Sequence, residues 1–325
     1  MGQSTPQKNA VLSTEPSTDR GIGSALLKTP SLTHTVRYLQ GVAPQIRYRF
    51  PYGWFVQHNV QTQQLVADLA FADLDQTVNI AIIGPEHYGK TSLIFAGMMA
   101  LTVQRKPSEL QFVFFALNHP DFLPLQPSAY TYLLIHQADQ VTEGITRLRA
   151  EIQRRIEVAR GGNESTQQDS AQIGMPMLVI YLADVTAIGQ ELGEEEFEDL
   201  LVLLMSQKPE CGVRVILESP TLAQVPPRCR TLLSDQMYGP SLSDKEDIEK
   251  EIPINAPLRP GTIRPSRLPQ DHPGVFTVIS DTGDGITLRG VNVSPEIRHR
   301  WMALQPAKSP PPSLSKAHRH AVHTP

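Results

Sequence analysis

Short, almost unbroken apolar runs alternate with amphipathic stretches through the middle of the chain. Four of them stand out as strands: Val78 to Ile83, Gln111 to Leu117, Met177 to Ala183 and Val213 to Leu217. Runs this short and this apolar suit strands buried on both faces, which calls for a parallel sheet with helices on either side. Tyr132 to Ile135 is a candidate fifth strand. Between the second and third, Ile145, Leu148, Ile152 and Ile156 recur at helical spacing, with Thr142 placed as an N-cap and Gly161-Gly162 as a stop. Phe197, Leu200, Leu201 and Leu204 mark another helix before the fourth core strand. Its acidic start, Glu194-Glu195-Glu196, reads as a solvated first turn at the positive end of the helix dipole. The pattern predicts an α/β fold with a mainly parallel sheet flanked by helices.

The flanks are less regular. Ile46-Arg47-Tyr48-Arg49-Phe50 alternates as an edge strand, and Val275 to Ser280 with Gly285 to Val293 reads as a C-terminal β-hairpin around Asp281-Thr282-Gly283-Asp284. Ser294-Pro295-Glu296 then opens a last helix that runs through Trp301. Residues 1–35 are rich in Ser, Thr, Pro and Gln and hold too few large apolar groups to offset backbone entropy, so they are expected to be disordered. Residues 305–325, with a proline run and a basic, His-rich patch, are expected to be a solvated tail. That leaves 36–304 as one folded domain, a size that can bury a substantial core.

Composition narrows the partners only slightly. The AVILMFWYC residues make up 40% and the charged residues 19%, with a formal net charge of -4, so nothing draws the whole molecule to nucleic acid. Any DNA contact must come from a local patch, and Arg259-Pro260-Gly261-Thr262-Ile263-Arg264-Pro265-Ser266-Arg267 is a short basic candidate that reads equally as a solvated connector. The two cysteines, Cys211 and Cys229, lack metal-ligand spacing and read as packing residues in a reducing compartment. No apolar run reaches the roughly 18 residues needed to span a bilayer. The expected location is cytoplasmic, with docking on a membrane complex left open.

One motif carries chemistry. Gly84-Pro85-Glu86-His87-Tyr88-Gly89-Lys90-Thr91 fits the P-loop pattern G-x-x-x-x-G-K-[ST] without a mismatch. Chance alone would produce it in roughly one in a hundred chains of this length. An apolar strand leads in, and Ser92 to Leu101 leads out as a helix, which is the order the motif requires. Gly84 and Gly89 let the loop turn its N–H groups inward around phosphates, and the helix start adds its positive end. Lys90 supplies a point charge to the β- and γ-phosphates, and the Thr91 hydroxyl can ligate Mg²⁺. The expected cofactors are ATP and Mg²⁺, held by residues 84–92 including Ser92. Two carboxylates are catalytic candidates. Asp184, after the Met177 to Ala183 strand, is placed to hold the metal's water shell; Val185 follows where such sites often carry a water-polarising glutamate. Glu218, at the end of the strand expected to lie beside that of Asp184, reads as a relocated base, a γ-phosphate sensor or an ordinary strand-end carboxylate.

From about Val42 to Trp301 the order of motifs resembles the FtsK/SpoIIIE family of ATPases, especially the ATPase modules of EccC-type type VII secretion motors. Lys106-Pro107-Ser108-Glu109-Leu110-Gln111-Phe112-Val113-Phe114-Phe115 is similar to the family's Pro-x-x-Val-x-Phe strand, and Glu151-Ile152-Gln153-Arg154-Arg155 to its Glu-x-x-Arg-Arg helix. Met177 to Asp184 falls at its second nucleotide motif, Glu218-Ser219-Pro220 at its Gln-Arg-Pro, and Val291-Asn292-Val293-Ser294 at its terminal G-x-F-V-S segment. The resemblance implies a RecA-like core and a homo- or hetero-oligomeric ring that couples ATP hydrolysis to movement of DNA or a secreted polypeptide, with a membrane complex as a further partner. Val185 and Glu218-Ser219 depart from the pattern. They leave open a degenerate module that binds ATP to regulate or scaffold with little hydrolysis. Arg154 and Arg155 read either as a contact to a neighbouring subunit's phosphate or, by preference, as cover for the helix surface. A nucleotide kinase would also use the P-loop, but the chain offers no arginine-rich lid.

Overall fold

The computed structural model describes residues 31–41, 46–59, 64–161, 175–240, 262–280 and 285–308. Its strands are β1 (Arg49–Asn59), β2 (Gln64–Asp73), β3 (Asn79–Ile83), β4 (Leu110–Phe115), β5 (Thr131–Ile135), β6 (Met177–Leu182), β7 (Val213–Ser219), β8 (Asp235–Tyr238), β9 (Val275–Ser280) and β10 (Gly285–Arg289). The helices are α1 (Leu32–Gly41), α2 (Lys90–Gln104), α3 (Val141–Gly161), α4 (Val185–Leu192), α5 (Glu194–Met205), α6 (Pro227–Arg230) and α7 (Pro295–Ala303). All strands join one ten-stranded sheet in the order β2-β1-β10-β9-β8-β3-β7-β6-β4-β5. From β8 to β5 every pairing is parallel. From β8 through β9, β10 and β1 to β2 every pairing is antiparallel.

Alternation along the buried strands sorts side chains to two cores. On one face Ile80, Ile82, Phe112, Phe114, Tyr181 and Ile216 pack with α2, in which every residue from Leu93 to Leu101 is buried. On the other, Val113, Ile180 and Val215 pack with α3 and α5 through Ile145, Leu148, Ile152, Leu200 and Leu204. The expected helices and buried parallel strands are therefore present. A helix buried from Leu93 to Leu101 needs cover on its outer side as well. Trp301 of α7 meets Phe95 edge-on at 6.2 Å and donates from Nε1 to Thr102 Oγ1 at 3.1 Å. Phe50 of β1 lies against Gly97, where a built Cβ would come within 2.0 Å of the ring. Ser294 caps α7 as expected, accepting from the Ile297 N–H at 3.4 Å.

Several expectations need correction. The strand read over 46–50 begins only at Arg49 and lies inside the sheet, because β2 pairs along its other side and takes the edge. The expected C-terminal hairpin is present as β9 and β10. Its strands continue the main sheet, β10 stops at Arg289, and the turn 281–284 lies outside the described residues. Thr142 falls inside α3, which starts at Val141, and Gly162 lies outside the described residues. Residues 32–35 of the segment expected to be disordered are helical, with Thr35 accepting from Trp54 Nε1 at 2.9 Å; residues 1–30 lie outside the described residues. At the other end, Ala307 bridges Ser128, and Lys308 N donates to Pro127 O at 2.8 Å; residues 309–325 lie outside the described residues.

The largest correction concerns Arg155. Its side chain is 1% exposed, bonding Glu151 through Nε at 2.8 Å and the carbonyls of Pro176 (2.8 Å) and Cys211 (3.2 Å) through Nη1. It therefore ties α3 to the starts of β6 and β7, and neither covers a surface nor reaches a neighbour. Arg154 is half-exposed and grips the same Glu151. Burial alone would raise the Glu151 carboxyl, but the hydrogen bonds and charges of Arg154 and Arg155 outweigh it and hold the group below its usual range. That contribution to stability is complete above the ordinary glutamate pKa and is lost as pH falls through the depressed folded value.

Two stability measurements follow. Arg155→Ala leaves two buried carbonyls unmet and should cost about 3–5 kcal/mol in urea unfolding at neutral pH. Gly97→Ala should lower stability by about 1–3 kcal/mol through overpacking against Phe50. Helix propensity by itself favours alanine by about 1 kcal/mol, so a net loss reports the ring contact.

Candidate nucleotide-binding site

β3 ends at Ile83, the loop Gly84 to Gly89 follows, and α2 starts at Lys90. The root of the loop is pinned on both sides. Gly84 N donates to Ser219 O of β7 at 3.0 Å, and Gly239 N, just past β8, donates to Ile83 O at 2.7 Å. Gly89 caps α2 in the left-handed region, φ 95° and ψ 10°, where a side chain would be strained. No side chain caps this end, and its first turn carries no acidic residue. The N–H groups that open a helix have no intrahelical acceptor, so α2 presents unshared donors and a positive dipole end at the loop.

The antiparallel half of the sheet, from the end of β8 through β9, β10, β1 and β2, forms a wing whose backbone closes directly behind the loop. A Cβ built on Gly84 would sit 3.2 Å from Gly239 Cα, and one on Gly89 3.5 Å from Gly274 Cα. Glu86 and His87 are exposed, whereas Tyr88 turns inward and is 3% exposed. Its hydroxyl donates to Pro269 O at 2.7 Å, its ring meets Phe276 edge-on at 5.7 Å, and burial pushes the phenol up to about 12. Only the backbone of Tyr88 is offered to a ligand. Ser92 is also committed to the wing: its Oγ donates to Asn292 Oδ1 at 2.9 Å and accepts from Val293 N at 2.7 Å. Thr91, beside it, is half-buried.

Lys90 folds back over the loop, donating from Nζ to Gly84 O at 2.9 Å and Pro85 O at 2.8 Å. Burial lowers its pKa, opposed by the negative charges of Glu218, Glu86 and Asp184. Asp184 follows β6, one strand removed from β3 because β7 runs between them. Its Oδ1 accepts from Thr186 N at 2.9 Å and Ala187 N at 3.1 Å, capping α4. The next residue, Val185, is buried as the first of α4, so no carboxylate stands there.

Glu218 is the next-to-last residue of its strand, near the end as expected, but it is buried. It lies within β7, opposite Ile82, and is 3% exposed. Burial lifts its carboxyl to about 7; Lys90 and the Tyr181 hydroxyl pull it down, and Asp184 pushes it up. Among the described residues, neither Glu218 Oε1 nor Tyr181 Oη has a hydrogen-bond partner of normal geometry. Glu218, Asp184 and Lys90 thus form one electrostatic cluster. Arg264 and Arg267 of the basic connector are exposed, and Arg259 lies outside the described residues.

Sequence reasoning missed Tyr181 and the wing residues behind the loop. A hydroxyl-bearing ring inside a fully apolar strand was a usable signal for the first. Gly239, Pro269 and Gly274 gave none, since only the sheet order brings them to the loop; Asn292 and Val293 lie in the segment singled out by resemblance, which gave no hint that they bond Ser92.

No protein-family model and no curated protein matches the chain. Solved structures do. ATPases 2 and 3 of EssC from Geobacillus thermodenitrificans align at 16% identity and TM-score 0.61 over 79% of this chain and 48% of that one. The cytoplasmic domain of the Thermomonospora curvata type VII secretion ATPase EccC aligns at 18% identity and TM-score 0.61, over 87% and 36%. The pCW3 conjugation coupling protein TcpA with ATPγS aligns at 11% identity and TM-score 0.55, over 83% and 86%. The chain spans less than half the length of these EssC and EccC structures. The fold of this chain is thus the P-loop ATPase fold that the EssC and EccC domains and TcpA share.

Proposed function

We propose that the chain is an ATP-binding module of the FtsK/SpoIIIE type, acting as the ATPase subunit of an oligomeric machine that moves a polypeptide or DNA. The observation that carries it is the α2 N-terminus: uncapped, free of acid, set behind a left-handed Gly89, with Lys90 folded over the loop. Backbone donors and one cation converge where a triphosphate would lie, and Tyr88 and the wing hold them there before any ligand arrives. Thr91 and Asp184 suit a magnesium ion accompanying the nucleotide, Thr91 through its hydroxyl and Asp184 through the carboxylate oxygen that capping leaves over. The ion would neutralise phosphate charge at that point. Asp184 and Glu218 are the acidic groups available to the reaction.

Likeness to EssC and EccC supports a secreted polypeptide as the moved substrate, and likeness to TcpA supports DNA. Arg264 and Arg267 are the exposed basic side chains suited to phosphate contact. Among the described residues no helix is long and apolar enough to cross a membrane. A membrane complex, met on its cytoplasmic side, is a further partner under this reading. A second reading, a regulatory module with little hydrolysis, is favoured by Val185 and by the bonds Asp184 already gives to α4.

The test is ATP binding and steady-state hydrolysis by the purified chain, with and without double-stranded DNA. Lys90→Ala should abolish ATP binding and leave thermal unfolding near that of the parent, because Lys90 bonds only its own loop among the described residues. Asp184→Asn keeps a good cap for α4 and removes the charge, so the Mg²⁺ requirement should rise about 10–100-fold. Undiminished ATP binding by Lys90→Ala would overturn the reading of the loop. Turnover stimulated by DNA selects the motor, whereas Lys90-dependent binding without turnover selects the regulatory module.

A further inference from the structure

Glu218 is out of place for a group that acts as a base. Strand alternation sets it on the same face as Ile216 and Tyr181, the face that carries α2, beneath the loop root where Gly84 N bonds the next residue, Ser219. The residue opposite, Ile82 of β3, is apolar and buried. The titratable groups facing it are Lys90 from α2, Tyr181 from β6 and Asp184 from the turn after β6. Its Oε1 has no hydrogen bond of normal geometry among the described residues, the Tyr181 hydroxyl standing near but unpaired as well, although it is buried in a protein interior where such atoms are nearly always satisfied. An oxygen left open beneath a phosphate-binding loop is either an acceptor with no donor or a donor with no acceptor.

We propose that Glu218 meets the terminal phosphate of a bound nucleoside triphosphate as a protonated, hydrogen-bond-donating carboxyl, so that triphosphate binding takes up one proton from solvent and loss of that phosphate returns it. The proposal rests on the reading of Gly84 to Thr91 as a triphosphate site. An ionised carboxylate can only accept, and so can phosphate oxygens, so two such groups side by side repel with nothing between them to share. The protonated carboxyl has the donor that the contact needs. The free site holds the group close to half-protonated at neutral pH, since burial raises it and Lys90 opposes that rise. Once Lys90 shares its charge with phosphates, its support for the carboxylate weakens, and the phosphates add repulsion of their own. A magnesium ion bound with the triphosphate cancels only part of that charge. No bond is made or broken beyond the proton transfer, and the proton comes from the buffer.

A nucleoside diphosphate lacks the phosphate that Glu218 meets, which makes the residue a reader of nucleotide state. A general base in the same place would have to stay ionised with ATP bound.

The experiment is isothermal titration of the full chain with Mg-ATPγS and Mg-ADP at pH 6 and pH 8, in buffers of different ionisation enthalpy. For a free-state value of about 7, the parent should take up close to one proton per ATPγS at pH 8 and little at pH 6, with no matching uptake for ADP. Glu218→Gln carries a neutral donor at every pH. It should bind ATPγS about tenfold more tightly than the parent at pH 8, with no proton uptake and no pH dependence of affinity over this range. Glu218→Met fills similar volume without a donor and should bind weakly at both pH values. Tight ATPγS binding by the parent without proton uptake at pH 8, or a Glu218→Gln variant that binds more weakly than the parent there, overturns the proposal. Absence of ATPγS binding by the parent at either pH overturns the reading of the loop itself, and is told apart by that alone.

Discussion

The P-loop of this protein is held from behind, and its geometry depends on that support. A phosphate cradle made of backbone is only as rigid as whatever packs on its far side. Here Tyr88 reaches out of the loop to Pro269 and Phe276, Gly84 and Gly89 lie against Gly239 and Gly274, and Ser92 in the first turn of α2 is bonded to Asn292 and Val293. All of the wing partners belong to the end of β8 or to the β9–β10 region. The antiparallel wing is therefore the back wall of the candidate nucleotide site. It also gives β8 a partner on the side away from β3, so the parallel core has no exposed edge beside the loop.

Where buried apolar area fixed the structure, the sequence made it readable. β3, β4, β6 and β7 are covered on both faces, so their apolar runs are nearly continuous, and α3 and α5 repeat with the period of a helix facing one core. β8 failed that test because it is four residues long and only Met237 and Tyr238 are buried. β1 failed because Pro51 and Gly53 interrupt it at a register shift, and β2 because one edge of it has no partner strand among the described residues. Arg155 was legible in part. It lies three and seven residues after Ile152 and Leu148, on the inward stripe of α3, and its charge hid a position that the period had already assigned to the interior. In the site, the motif identified the loop and its two neighbouring carboxylates, but the burial of Glu218 follows from β7 lying between β3 and β6, which no local pattern encodes.

Two helix starts face the same region and are treated in opposite ways. Asp184 closes the N-terminus of α4 with its own carboxylate, satisfying two of its opening N–H groups. Gly89 closes that of α2 with nothing. An anion approaching the sheet edge meets donors at α2 and a carboxylate at α4. On the proposed function, that asymmetry would orient a phosphate chain toward Lys90 and leave the Asp184 side for a cation.

The placement of acidic groups also bears on what such a site does well. In the expected arrangement, a glutamate directly after Asp184 would stand just past the tip of β6, where it could polarise a water held beside the metal. This chain has Val185 at that tip, and its remaining carboxylate, Glu218, sits one strand closer to the loop and inside the core. A buried carboxyl is poor at accepting a proton from water beside a triphosphate, because both desolvation and phosphate charge oppose its ionised form. The same two effects make it sensitive to whether a phosphate is there. On the proposed reading, a carboxylate in β7 and none after Asp184 would favour a response to bound nucleotide over hydrolysis, and a wing bonded to both the loop and α2 would give that response a path to the antiparallel half of the sheet.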